Sequence, residues 1–316
     1  MDVSIVVPVY NEESNVTALY EEIKSVFKSL DLTYEVIFVD DGSTDDTVPT
    51  LRSLIDAGAS NIKVIQLRQN FKKSAALTAG FQHVQGEVVF TIDGDLQDDP
   101  NEIPLFLEAL TEEVDVVCGW RRKRKDKFFI KTLPSRIYNL FNRMLFGLKI
   151  HDSDCNFRAY RREAVKDLVL LKGGHRYVPA ILDNLGFRLT EIEVHHRRRH
   201  AGKSKYGFRR LFQGTIDLIT YKLLFSYGQR PLRLFFSLGI ICLLAAFGFG
   251  VYLLVEKYAF GELIGDRPLL ILVAVLGLSG FQIMFFGLLG ELISQRNPEP
   301  STVFKIRKIY GAKEEK

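Results

Sequence analysis

The sequence predicts an α/β domain built on a mostly parallel sheet, followed by an interfacial amphipathic helix and two transmembrane helices. Three observations carry that prediction. Short β-branched runs alternate with helix-period stretches through the first two-thirds of the chain, the pattern of a parallel sheet covered on both faces. Carboxylate-rich turns follow three of those runs. Nearly all the long uncharged apolar runs fall after residue 231.

The elements follow in order. V-S-I-V-V-P-V is the first strand, closed by Tyr10-Asn11-Glu12-Glu13. Val16, Leu19, Tyr20, Ile23, Val26, Phe27 and Leu30 recur near helical spacing, so residues 11–30 are expected as a helix. Residues 34–39 form the second strand and stop at Asp40-Asp41-Gly42-Ser43, completing a β-α-β unit. A helix is expected from Asp46, with Asp41 and Asp45 making turns or caps beside it. Further strands are expected at residues 63–67, 87–92 and 115–119. Asp93-Gly94-Asp95 follows the fourth of these strands, at the edge where such sheets bind ligands.

Beyond the sheet, Phe208, Leu211, Phe212, Thr215, Ile219 and Leu223 recur every three to four residues, with charged and polar residues between them. That is an amphipathic helix suited to a membrane interface. Residues 234–255 and 268–290 carry no charge, and each exceeds the roughly 20 residues that cross a hydrocarbon core. Basic residues crowd before the first span, and Arg296, Lys305, Arg307 and Lys308 follow the second. The positive-inside rule then places both termini and the N-terminal domain in the cytoplasm, on a multi-pass protein of the inner membrane. The expected boundaries are 1–207 for the soluble domain, 208–230 for the amphipathic helix, 231–293 for the spans and 294–316 for a tail.

The net charge is only +4, but Arg121 to Lys127 and Arg197 to Arg210 concentrate basic residues. Such clusters suit a phosphate-bearing partner or an anionic bilayer, and no nucleic-acid partner is expected. Three cysteines without a CxxC pair imply neither a disulfide framework nor a zinc site. The N-terminus opens directly into a strand, so no cleavable signal peptide is expected.

Chemistry concentrates in Asp93-Gly94-Asp95-Leu96-Gln97-Asp98-Asp99-Pro100. Two carboxylates at i and i+2 past a buried strand can converge on one cation where Gly94 lets the backbone turn. Oxygen ligands suit Mg²⁺ or Mn²⁺, and Gln97 could add a carbonyl oxygen. The acidic groups after the first two strands could accept hydrogen bonds from a nucleoside.

The combination of V-V-P-V-Y-N-E-E, V-D-D-G-S-T-D-D-T, D-G-D-L-Q-D-D-P and N-F-R-A-Y-R-R-E resembles the inverting family 2 glycosyltransferases of the GT-A fold. With two C-terminal spans, it resembles their polyprenyl-phosphate branch, which includes dolichol-phosphate mannose synthases and bactoprenol glucosyltransferases. The resemblance implies transfer of a sugar from a nucleotide-sugar, UDP-glucose or a similar UDP-hexose, onto polyprenyl phosphate at the cytoplasmic membrane face. It implies that Pro8, Tyr10, Asn11, Glu12 and Asp41 hold the nucleoside, with Asp40 and Gly94 nearby. Asp93, Asp95 and Gln97 would ligate the metal that bridges the donor diphosphate. Arg199 and Lys205, in R-H-A-G-K-S-K, would cover the donor phosphates. Arg121, Arg122, Lys131 and Ser135 would contact the acceptor phosphate.

Asn156 stands where some relatives carry an aspartate viewed as a base. Asp154 could compensate, or no base is needed, because a phosphate monoester with a second pKa of about 6 is already largely ionised near pH 7. Asp95, Asp154 and Asn156 are therefore the candidate catalytic residues. A processive polysaccharide synthase of the same fold is a rival reading, but no Gln-x-x-Arg-Trp motif occurs. A non-catalytic membrane scaffold is another, and the intact Asp93/Asp95 pair argues against it. Homo-oligomer formation is left open.

Overall fold

Successive apolar runs give β1 (Val3–Val9), β2 (Tyr34–Asp40), β3 (Ile62–Leu67), β4 (Val88–Thr91) and β5 (Val116–Trp120). Between them lie α1 (Val16–Leu30), α2 (Thr47–Asp56), α3 (Lys73–Phe81) and α4 (Ile103–Ala109). The chain continues through β6 (Arg158–Arg161), α5 (Arg162–Val165), α6 (Val178–Asn184) and β7 (Leu189–Glu193). Two long helices, α7 (Pro231–Ala259) and α8 (Pro268–Arg296), precede a final strand, β8 (Ile306–Tyr310). This computed structural model describes residues 1–122, 145–197, 220–223, 231–261, 263–265, 267–296 and 306–310. It divides into two compact units, Met1–Leu218 with Thr302–Lys316, and Ile219–Ser301.

In the first unit the strands form one eight-stranded sheet of order β7-β5-β6-β4-β1-β2-β3-β8. The pairs β1–β2, β1–β4 and β2–β3 are parallel, as the alternation of strands and helices predicts, and β5–β7 is parallel as well. Strand alternation divides the core between the two faces. Ile5 and Val7 of β1 and Val36 and Phe38 of β2 pack with the buried side of α1, whereas Val6, Ile37 and Val39 pack with α3. Both sides of these strands are apolar because helices cover both faces.

The antiparallel pairs all involve β6 or β8, and neither strand, nor β7, is expected from the sequence. Their residues explain why. Strand β6 reads R-A-Y-R, four residues without a β-branched side chain, and β7 reads L-T-E-I-E, a five-residue alternation that carries two glutamates and has no fully buried position. Arg158 is nevertheless 1% exposed. Its guanidinium donates to the Ser153 carbonyl at 2.7 Å and the His175 carbonyl at 3.3 Å, which is how a charged side chain is accommodated inside.

Helix α1 starts at Val16 rather than near residue 11. Asn11 has φ of 56°, a left-handed conformation that cannot continue a helix. Helix α2 starts with Asp46 as its flanking residue but takes its side-chain bonds from Asp45, whose Oδ1 accepts from Thr47 N–H and Oγ1 at 3.1 and 2.6 Å.

At the end of the sheet opposite the carboxylate turns, Ser4 Oγ donates to Glu35 Oε1 at 2.6 Å, and Lys63 Nζ lies 3.3 Å from Glu35 Oε2. The backbone N–H groups of Gln85 and Gly86 donate to Ser4 Oγ at 3.1 and 2.8 Å. One buried carboxylate thus ties three strands and the turn before β4.

In the second unit, α7 and Pro268–Ile293 of α8 have mean hydropathies of 2.5 and 2.4, and both are long and apolar enough to cross a membrane. They pack closely where glycines face each other. A Cβ on Gly239 would meet the Gly280 carbonyl oxygen at 2.7 Å, and one on Gly280 would meet that of Gly239 at 2.9 Å. Glu291 accepts the Leu232 N–H at 3.3 Å, which makes it a helix–helix contact. Phe247, Leu278 and Phe281 expose 71%, 73% and 67% of their surfaces, an apolar exterior that lipid would cover. Of the expected amphipathic helix, only residues 220–223 are described, and they are helical.

Candidate active site

The carboxyl ends of β1, β2, β3 and β4 bring the acidic turns to one edge of the sheet. After β1, the Asn11 N–H donates to Ser43 Oγ at 2.9 Å, and Asn11 Oδ1 accepts from Thr44 N–H at 2.9 Å. The Glu12 N–H donates to Thr47 Oγ1 at 2.9 Å, and Glu12 Oε2 accepts from Asn15 Nδ2 at 2.6 Å. These bonds lock the turn of Pro8, Tyr10, Asn11 and Glu12 onto the one that follows β2.

Asp40 is fully buried, and its carboxylate accepts from Ser43 N–H at 3.1 and 3.2 Å. Burial raises its pKa against that hydrogen bond. Asp41 is 5% exposed and accepts from Phe71 N–H at 2.7 Å and Lys72 N–H at 2.9 Å. Burial pushes it up to about 6, although those amides oppose the shift. Gly42 permits this contact: its φ is +72°, and a Cβ there would meet the Gln69 backbone at 2.7 Å. Asp41 therefore fixes the loop between β3 and α3.

The second cluster surrounds Asp93. Lys73 Nζ lies 2.5 Å from Asp93 Oδ1, and Asn156 Nδ2 donates to the same oxygen at 2.9 Å. Burial alone would raise the Asp93 pKa, but the charge and hydrogen bond of Lys73, the charge of Arg121 and the Asn156 amide hold it below the ordinary value. Asp98 Oδ2 accepts the Asp93 N–H at 3.2 Å. Asp98 is pushed up to about 7, first by burial and then by the negative charge of Asp93, with Asp95 adding to it. Asp95 is 7% exposed, and its Oδ1 accepts from Gln97 N–H at 3.3 Å; Gly94 is buried between the two carboxylates of the motif.

Gln97 faces the segment after β7. Its Nε2 is 3.2 Å from His196 Nε2 and 3.4 Å from the Arg197 carbonyl oxygen, and the Gln97 backbone carbonyl accepts the Arg197 N–H at 2.9 Å. The Arg197 guanidinium bridges Glu22 at 2.7 Å and Asp99 at 2.5 Å. His195 is fixed by Glu102, which accepts from its backbone N–H at 3.0 Å and lies 2.7 Å from Nδ1.

The expected phosphate-binding residues fall in different settings. Arg121 is committed to Asp152 through bonds of 2.8 and 3.1 Å, with only 12% of its side chain exposed. Its charge still reaches Asp93 and Asp98. Arg122 is exposed, 2.6 Å from Glu193 and stacked over Trp120. Asp154 is held 3.3 Å from Arg176. Lys131, Ser135, Arg199 and Lys205 lie outside the described residues.

Lys73 and Asp98 are the members of this candidate site that the sequence reading does not single out, whereas Arg197 enters it as part of a basic cluster. Asp98 stands in the same octapeptide as Asp93 and Asp95, so its signal was present. Lys73 lies in a Lys-Lys pair after β3 and gives no spacing that ties it to Asp93.

A hard divalent cation suits this donor set. The oxygens are the carboxylates of Asp93 and Asp95, two positions apart past the end of β4. Among the described residues, no three acidic, histidine or cysteine side chains form a ready-made cage. The residues fit a cation that brings ligands of its own, as Mg²⁺ commonly does with substrate phosphates.

The glycosyl transferase family 2 profile matches residues 4–169. The chain belongs to this family. It is 35% identical over 315 residues to a dodecaprenyl-phosphate galacturonate synthase of Rhizobium johnstonii, covering 98% of this chain and 93% of the relative. An undecaprenyl-phosphate 4-deoxy-4-formamido-L-arabinose transferase of Pseudomonas fluorescens is 37% identical over 294 residues, with 93% and 84% covered. Among solved structures, glucosyl-3-phosphoglycerate synthase of Mycobacterium tuberculosis in complex with UDP aligns with a TM-score of 0.54 at 22% identity. It covers 71% of this chain and 79% of that one. The same enzyme with Mg²⁺ and UDP aligns at 0.53, with 71% and 78% covered. These structural likenesses establish the GT-A-type fold of the family 2 domain.

Proposed function

We propose that this glycosyltransferase moves a hexose from a UDP-sugar, UDP-glucose or a similar hexose, onto polyprenyl phosphate with inversion, at the cytoplasmic membrane face. One observation carries the reading. The similarity to polyprenyl-phosphate sugar transferases runs over 98% of the chain, and so takes in the apolar helices as well as the acidic cluster.

In this reading a phosphate oxygen of the lipid attacks the anomeric carbon, and the bond from that carbon to the nucleoside diphosphate breaks. The acceptor arrives largely ionised, since its second pKa is about 6, so positioning matters more than deprotonation. Asn156 supports this base-free course, because its amide donates to Asp93 and cannot usefully take a proton. Asp154 supports it too, since it is paired with Arg176. Asp95 and Asp93, with Gln97 as a further oxygen, would hold Mg²⁺ or Mn²⁺, whose charge compensates the leaving diphosphate. Arg199 and Lys205 would close over that diphosphate. Arg122, Lys131 and Ser135 would receive the acceptor phosphate, with Arg121 supplying charge from behind.

The basic residues flanking the helices support a cytoplasmic domain, on the side where nucleotide-sugars are made. Strand β8 supports an even number of crossings, because residues after α8 pair in the same sheet as residues before α7. The test is transfer from radiolabelled UDP-hexoses to polyprenyl phosphate by the purified full-length protein, with and without EDTA. Label should enter the lipid phase and be lost on chelation. No lipid product from any UDP-hexose would reject the function.

A further inference from the structure

Asp93 Oδ1 already carries a positive partner. Lys73 Nζ sits 2.5 Å away, and Asn156 Nδ2 donates to the same oxygen at 2.9 Å. An ammonium and a divalent cation compete for one carboxylate oxygen, because each repels the other at contact distance. The two partners of Asp93 Oδ1 differ in exposure. Asn156 is 4% exposed and fixed in the core edge, whereas the Lys73 side chain is 28% exposed and has room to swing.

We propose that Lys73 is the resident counter-cation of Asp93, so that a divalent cation binds tightly only in company with a nucleoside diphosphate. This rests on the reading of the acidic cluster as the donor site. The exchange balances charge. The metal takes over Asp93, and the released ammonium finds a new anion in the diphosphate that arrives with the metal. Asn156 keeps Asp93 oriented before and after. Lys73 opens α3, so a swing of its side chain asks for no movement of the helix. A free cation would have to displace the lysine unaided.

The test is Mn²⁺ binding to the full-length protein in detergent, followed by the electron paramagnetic resonance of free Mn²⁺, with and without UDP. In the wild type, Mn²⁺ alone should bind weakly and UDP should tighten it strongly. In Lys73→Met, Mn²⁺ alone should bind about tenfold tighter, the scale set by a charge pair that water partly screens. The gain from UDP should shrink by a similar factor. Lys73→Arg keeps the charge and should behave as wild type, and Lys73→Gln repeats the comparison if the methionine variant does not fold. Unchanged or weaker Mn²⁺ binding by the folded Met or Gln variant overturns the proposal. A wild type that takes up no Mn²⁺ even with UDP would reject the donor-site reading itself, and the proposal with it.

Discussion

Asp95 combines near-complete burial with a place at the ligand edge of β4, and its Oδ1 accepts the Gln97 N–H, a bond that an asparagine oxygen can also accept. Asp95→Asn should therefore fold normally and lose at least about 10²-fold in transfer rate, the usual scale for removing one electrostatic stabiliser. Near-wild-type turnover at saturating Mg²⁺ or Mn²⁺ would remove Asp95 from the site. Lys72 poses the opposite case. Its φ of 76° and ψ of 164° lie in a region nearly reserved for glycine, held there by the bond from its N–H to Asp41. Such strain costs about 1–3 kcal/mol, and glycine gives back roughly 0.5–1 kcal/mol through the unfolded chain. Lys72→Gly should thus raise the melting temperature by about 2–4 °C in calorimetry. A lower melting temperature would mean that the lysine side chain contributes more than its backbone costs.

Among the elements, those with strong periodicity could be read directly. The spacing from Val16 to Leu30 marks α1, because buried residues on a helix must recur on one face, and β1 to β5 announce themselves as apolar runs. What could not be read is how β6 inserts between β4 and β5. That insertion sets Asn156 beside Asp93, although 63 positions separate them in the chain. No local pattern encodes such a neighbour, because the pairing is settled by the whole sheet. For the same reason Arg121 reads as a free phosphate ligand, while its partner Asp152, in the segment leading into β6, is brought near only when β6 pairs with β5. The Glu35 bridge is another non-local device. Glu35→Ala would take the counter-charge from the Lys63 ammonium, whose side chain is 11% exposed and which keeps its bond to the His83 carbonyl, and Ser4 Oγ would lose this acceptor. Removing one partner of a buried pair costs about 3–5 kcal/mol, so chemical denaturation should show a loss of that order. A loss below about 1 kcal/mol would mean that water reaches the lysine.

For the molecule as a whole, the orientation of the helical hairpin decides whether the acidic cluster meets its substrates. A cysteine placed at Gly261, between α7 and α8, should react with an impermeant maleimide from outside the cell, and one at Lys313 only after permeabilisation. The reverse pattern would put the acidic cluster on the side without nucleotide-sugars. Strand β8 carries a further consequence, for biogenesis. A ribosome reaches Ile306–Tyr310 only after both apolar helices have been made, while its partner β3 emerges early. Until then the edge of β3 is unpaired, with backbone groups open to any passing strand. Synthesis of the apolar helices is therefore a step in the folding of the sheet domain, and a chain stalled before residue 306 would hold a sheet that cannot yet close.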